Sequence, residues 1–481
     1  MKGLKGYFLL MLLIMTAVSA DAKILLPQIL SSNMVLQRDK PLNIWGFAAV
    51  GEVVTVSFAG QVKETITDAN GKWIVVLSAL KTSAVPSTMT IKGSNTIVLD
   101  NILVGEVWLC SGQSNMEYAM RKLERVKKPL NEKLGYPVDE LKKANNPQIR
   151  IFLVNRKQLS KPDSLHKSWN IAQDSALKNF SAAGYFFAKE LQKKLNIPVG
   201  MISSAVSGSA IEPWIPRESL ETGYFSGQKV GNDPGKFYTP MIEPLTPFAL
   251  RGFLWYQGET NCFLKENISY SYKMKALINS WRTAWKDKDM PFYYVQIAPF
   301  NYSTSKGKIA LDEYTEPEFW EAQAQLLRMP NTGMVVTTDL NDYPDDLHPN
   351  YKWEIGRRLA LWALAKDFNQ QLTWSGPIYK SVKFKGNTAK LEFEHIGKGL
   401  ISIDGKPLDC FSMAAKDGKF FPAEAIIKDN KIIVSVKGLK KPVAVRFGWN
   451  EAMRPNLYNK DGLPALPFRT DNPLTTQFKP I

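Results

Sequence analysis

Cysteine and histidine are scarce in this 481-residue sequence, three of each, and that scarcity removes whole classes of chemistry. Cys110, Cys262 and Cys410 are too few and too scattered for a disulfide framework, or for zinc or iron–sulfur ligation. They are expected to pack as small buried apolar side chains, with a Cys110–Cys262 pair as the alternative. His166, His348 and His395 lie far apart and form no metal-ligand set, so neither a metal nor a cofactor is expected. Beyond the N-terminus no segment approaches the roughly 18 to 20 consecutive apolar residues that cross a bilayer. Repeats and low-complexity tracts are also missing. Acidic residues are in deficit, with 45 Asp and Glu against 61 Lys and Arg, a formal charge of +16. A nucleic-acid groove would need those cations clustered among aromatics, and no such run occurs, so the excess reads as a solvated basic surface with no nucleic-acid partner.

The first 22 residues carry Lys2 and Lys5, an apolar run from Tyr7 to Val18, and the small-residue sequence Ser19-Ala20-Asp21-Ala22. That order is a secretory signal peptide, so an exported protein, periplasmic or secreted, is expected. Residues 23–102 alternate in short strand-like runs such as Val53 to Phe58 and Lys72 to Leu77, with turn signals at Asn70-Gly71 and Ser94-Asn95, and read as a β domain. Between 103 and 371 the character changes. Apolar runs (Val107 to Cys110, Val199 to Ile202, Phe253 to Tyr256, Phe292 to Val295, Met334 to Val336) alternate with helical stretches such as Ala183 to Leu195 and Phe319 to Met329. Strands buried on both faces with helices between them indicate a parallel sheet in a three-layer α/β domain. From 372 to 481 short strands return, separated by Asp404-Gly405, Asp417-Gly418 and Asp461-Gly462, which predicts a second β domain.

Ligand sites in parallel sheets lie beyond the carboxyl ends of the strands. Three such ends carry polar clusters. Gly112-Gln113-Ser114-Asn115-Met116 follows the first run, where a serine at a strand-to-helix turn is exposed for attack. Trp255-Tyr256-Gln257-Gly258-Glu259-Thr260-Asn261 offers the side-chain amides of Gln257 and Asn261 to developing negative charge. Asp345-Asp346-Leu347-His348-Pro349 precedes a helix, with Pro349 suited to its first turn. Taken singly these are a loop serine, a hydrogen-bonded turn and a helix start. His166 sits in a polar loop and His395 in the C-terminal strands, which leaves His348 as the one well-placed base.

Together, and in this order, the three blocks resemble the sialate O-acetylesterase family of the SGNH hydrolases. Phe180 to Phe187, Pro198 to Ile202, Ile211 to Trp214, Val445 to Trp449 and Gly462 to Pro464 extend the resemblance over nearly the whole chain. It implies a flavodoxin-like SGNH catalytic domain that hydrolyses acetyl esters of a carbohydrate, most directly O-acetylated sialic acid. It also implies Ser114 as nucleophile, His348 as base and Asp345 as its orienting carboxylate, with Asp346 the rival. The oxyanion hole falls on the amides of Ser114 and Gly208 and on Asn261, with Gln257 as the other candidate. Glu212, Trp214 and Glu259 are candidates for contact with substrate, structural roles being the alternative. One departure concerns the second block, where the family shows Trp-Gly-Gly-Thr and this sequence reads Val206-Ser207-Gly208-Ser209. An acetylxylan or other polysaccharide acetylesterase is the alternative of the same chemistry, and a non-catalytic carbohydrate-binding protein the alternative of another class. The sequence leaves the oligomeric state open.

Overall fold

A computed structural model describes residues 23–154, 168–471 and 474–480. The expected signal peptide and His166 lie outside the described residues. The core is a parallel sheet built from β1 (Thr96–Gly112), β2 (Ile149–Leu153), β3 (Val199–Ala205), β4 (Gly252–Tyr256), β5 (Phe292–Val295) and β6 (Thr332–Val335). Its order is β6-β5-β4-β1-β3-β2, every neighbouring pair parallel, with Asn170–Ile171 added antiparallel at the β2 edge.

Burial on both faces explains the continuous apolar runs. Phe253, Trp255, Phe292 and Tyr294 point into one core with Trp281 and Phe319, whereas Leu254, Tyr293 and Val335 share the opposite core with Phe187, Leu359 and Trp362. Helices α1 (Ile268–Ala284) and α2 (Thr315–Ala324) therefore cover the first face. The second is covered by Ala182–Leu195 and Lys352–Lys366, where Gly356 lets the two helices meet: a Cβ there would stand 2.6 Å from the Ala183 carbonyl oxygen. Each large apolar side chain buried in these layers contributes about 2 kcal/mol of burial free energy.

Outside this sheet the strands are antiparallel. Lys72–Leu77 pairs with Leu42–Phe47 and alternates strictly between exposed and buried positions, the half-solvated pattern its sequence shows. Near the other terminus Ile378–Lys385, Thr388–Glu394, Lys431–Ser435 and Glu424–Lys428 form a four-stranded sheet over a separate core containing Leu391, Val434 and Phe447. The position between 102 and 103 falls inside β1, which pairs antiparallel with Ser83–Lys92 along its first part and then continues as the central strand of the parallel sheet. Cys110 and Cys262 are free and fully buried, and Cys410 is free and half-buried. Among the described residues no helix is long and apolar enough to cross a membrane.

Candidate active site

β1 lies between β3 and β4: the chain runs from it to β2 and β3 on one side before crossing to β4 on the other, so a crevice opens beyond its carboxyl end. Gly112 closes that end. Its φ is +139°, and a Cβ there would stand 2.1 Å from the Tyr256 carbonyl oxygen, so only glycine lets β1 and β4 meet this closely. The Gln113 N–H then donates to Tyr256 O at 3.0 Å, and Ser114 opens a single helical turn, Ser114–Glu117.

Ser114 is half-buried on the wall of a cleft of about 290 Å³, facing Arg121, Lys122, Asn179, Ser181 and Ser207. The loop after β3 is fastened to the same turn, because the Ser207 N–H and hydroxyl both donate to Glu117 Oε2. Gly208 follows with φ +72° and open space around it, and its N–H has no acceptor among the described residues.

The second block forms an interior network. Gln257 Nε2 lies 2.7 Å from Asn261 Oδ1, 3.1 Å from Gln113 Oε1 and 3.2 Å from Ser209 O. Asn261 Nδ2 donates to Glu212 Oε2 and Glu266 Oε1, each at 3.3 Å, and Lys273 bridges those two carboxylates at 2.7 Å. Both amides are thus fully buried and already paired with protein acceptors. Glu212, Trp214 and Glu259 are buried as well, Trp214 donating to Ser209 Oγ at 3.0 Å and packing edge-on against Trp255.

A hydrogen bond between the flanking residues joins the nucleophile turn to the histidine loop: Asn115 Nδ2 donates to Leu347 O at 3.0 Å. The same amide donates to Glu259 Oε1 at 2.5 Å. Burial raises the Glu259 carboxyl above its ordinary range, opposed by the Asn115 hydrogen bond and by the Lys352 charge, and its Oε2 has no hydrogen bond with a described residue. His348 is half-buried. Burial pushes its imidazole below the ordinary value; the Lys352 charge and, more weakly, Lys122 push the same way, while Asp346 opposes them. Among the described residues no hydrogen bond joins Ser114 Oγ to the His348 ring. Catalytic pairs in ligand-free sites often stand apart in this way.

The two aspartates separate. Asp345 is exposed and accepts from Asn301 Nδ2 at 2.7 Å, whereas Asp346 accepts the His348 backbone N–H at 2.8 Å and supplies the acidic charge acting on the imidazole. Pro349 precedes the helix rather than opening it: the first helical residue is Lys352, capped by Tyr351. His395 stands just past the strand Thr388–Glu394, against Trp374, its carbonyl accepting from Asn459.

Gln113, Asn115, Arg121, Lys122 and Lys352 were not marked out by sequence reasoning. Asn115 and Gln113 had a signal, since both flank Ser114 in the motif. Lys352 had none, because a lysine on an amphipathic helix ordinarily faces water.

A serine turn tied through Asn115 to the loop of a half-buried histidine, with a Gly208 N–H free of described acceptors nearby, is the setting an esterase would use, and comparison with known proteins gives the class. The chain belongs to the sialic acid-specific acetylesterase family of carbohydrate esterases, whose model matches residues 104–365. It is 27% identical to sialate O-acetylesterase of Mus musculus over 96% of this chain and 97% of that one. The Homo sapiens sialate O-acetylesterase is likewise 27% identical, over 91% of each chain. Among solved structures, a carbohydrate acetylesterase from Xanthomonas citri superposes with a TM-score of 0.83 at 34% identity, covering 94% of this chain and all of that one.

Proposed function

We propose that this protein is an exported O-acetylesterase of the SGNH type that releases acetate from O-acetylated sialic acid. Its catalytic domain would span 103–371, between β domains at 23–102 and 372–481. Ser114 Oγ attacks the acetyl carbonyl while His348 takes the hydroxyl proton, and the sugar oxygen leaves with that proton. Water, deprotonated by His348, then attacks the acetyl-serine and frees acetate. The oxyanion is met by the N–H groups of Ser114 and Gly208; a third donor from Asn261 or Gln257 requires that amide to leave one of its present partners.

The family resemblance implies Asp345 as the orienting carboxylate, and the field at the imidazole favours Asp346. Asp346→Asn is expected to lower kcat on the order of 100-fold, against less than about threefold for Asp345→Asn. Steady-state kinetics on a chromogenic acetyl ester gives the comparison, and the reverse ranking would return the role to Asp345.

The observation that carries the choice of sugar is the pair Arg121 and Lys122 on the wall of the Ser114 cleft, neither in an ion pair with a described residue. Two cations beside the nucleophile without a carboxylate partner, Arg121 donating to Asn179 Oδ1 and Lys122 standing 4.8 Å from the centre of the Tyr118 ring, suit the carboxylate of a sialic acid better than a neutral xylan. Acetate release is to be measured from O-acetyl sialic acid, its carboxyl methyl ester and acetylated xylan at matched concentrations. The free acid should exceed its methyl ester by about tenfold in kcat/KM, a margin that Arg121→Gln with Lys122→Gln erases. Faster release from xylan would overturn the assignment of substrate.

A further inference from the structure

Lys352 is an anomaly. It is fully buried, yet its ammonium makes no ion pair with a described carboxylate. It is also the first residue of its helix, where the aligned peptide dipoles repel a cation. Burial, a missing counter-ion and the wrong helix end all oppose it, so stability does not account for its presence.

Its contacts do. The ammonium donates to Asn115 Oδ1 at 2.8 Å and to the Pro349 carbonyl, and lies 4.8 Å from the centre of the Tyr118 ring and 5.4 Å from that of Tyr256. Asn115 follows Ser114, and Pro349 follows His348. On its other edge the Asn115 amide donates to Leu347 O and to Glu259. We propose that Lys352 is a positioning residue for the reaction, clamping the residue that follows the nucleophile to the residue that follows the base.

The clamp has an electrostatic consequence. His348 feels Lys352 and Lys122, which disfavour its protonation, and Asp346, which favours it. Lys352 itself feels Glu259 and Asp346 as favourable charges and Lys122 as an opposing one, and burial takes its ammonium down to about 7. The cation thus adds to burial in disfavouring the protonated imidazole, which helps His348 accept the serine proton. Removing it makes His348 easier to protonate, so the acid limb of kcat/KM moves to higher pH.

The inference rests on His348 as the base, and the test separates the two. Lys352→Met keeps length and apolar bulk but loses charge and donors; Lys352→Arg keeps both. For Lys352→Met, kcat on a chromogenic acetyl ester should fall about tenfold or more while KM changes less than about threefold. Its acid limb should rise by about half a pH unit or more, and its thermal midpoint at pH 6 should match or exceed wild type. Lys352→Arg should hold the limb within about 0.2 pH unit of wild type, and it carries the test alone if the methionine variant does not fold. Wild-type kcat and acid limb in Lys352→Met, or a limb displaced in Lys352→Arg, overturns the proposal. An acid limb that survives in His348→Gln defeats the assignment of the base instead.

Discussion

Ser114→Ala should lose about 10⁴-fold or more in kcat on any acetyl ester, with the folded state intact. The size follows from what one atom does. Without Oγ no acyl-enzyme forms, and only the donors left in the site can help water attack the ester directly. The fold should survive because Ser114 Oγ takes part in no hydrogen bond with a described residue, and the turn is held instead by Gly112, by the Gln113 N–H on Tyr256 O and by Asn115 on Leu347 O. Unchanged thermal denaturation beside the kinetic loss separates a missing nucleophile from a collapsed site. A variant with more than a tenth of wild-type activity would place the nucleophile elsewhere.

His348→Ala should come close behind, at about 10⁴-fold, because alkoxide formation near neutral pH depends on a base beside the hydroxyl. The wild-type pH profile carries a matching signature. Burial and the neighbouring lysines hold the imidazole below its ordinary value of 6.5, so the base stays neutral, and active, to a lower pH than a free histidine would. The acid limb of kcat/KM should therefore have its midpoint below 6.5 and be absent in the alanine variant. A midpoint above 6.5 would mean that Asp346 outweighs burial and Lys352 at the ring.

Much of this architecture was legible in the sequence because local pattern and burial coincide. Val53–Phe58, Lys72–Leu77 and Phe292–Val295 appear as strands at the residues read from the pattern, the second alternating and the third buried throughout. The helix read from Ala183 begins one residue earlier, at Ala182. The stretch from Phe319 was less clear: its helix starts at Thr315 and tightens to a 3-10 turn at Gln325–Arg328, since Glu316 and Pro317 are buried and break the expected polar face. That β1 belongs to two sheets could not be seen, because strand pattern reports which face is buried and not which partner is paired.

In the site, the order of blocks located the crevice, since residues after consecutive parallel strands converge whatever their side chains do. Side-chain direction was beyond its reach. Asp345 and Asp346 differ by one position and reach opposite surroundings, Asn301 for the first and the His348 backbone for the second. Lys352 was hidden for a related reason: the preference of lysine for water is strong, and only the placement of Asn115 and the two tyrosine rings shows why it is overridden here.

The central claim, that Ser114 is the nucleophile of an acetylesterase, is most directly tested by covalent trapping. The enzyme is to be treated with an aryl dialkyl phosphate, which phosphorylates activated serines, and the modified residue mapped by peptide mass spectrometry alongside residual acetyl-ester hydrolysis. Stoichiometric labelling of Ser114 in step with loss of activity, and no labelling in Ser114→Ala or His348→Ala, is the expected result. Inactivation with the label on another residue, or full labelling in the His348→Ala variant, would contradict it.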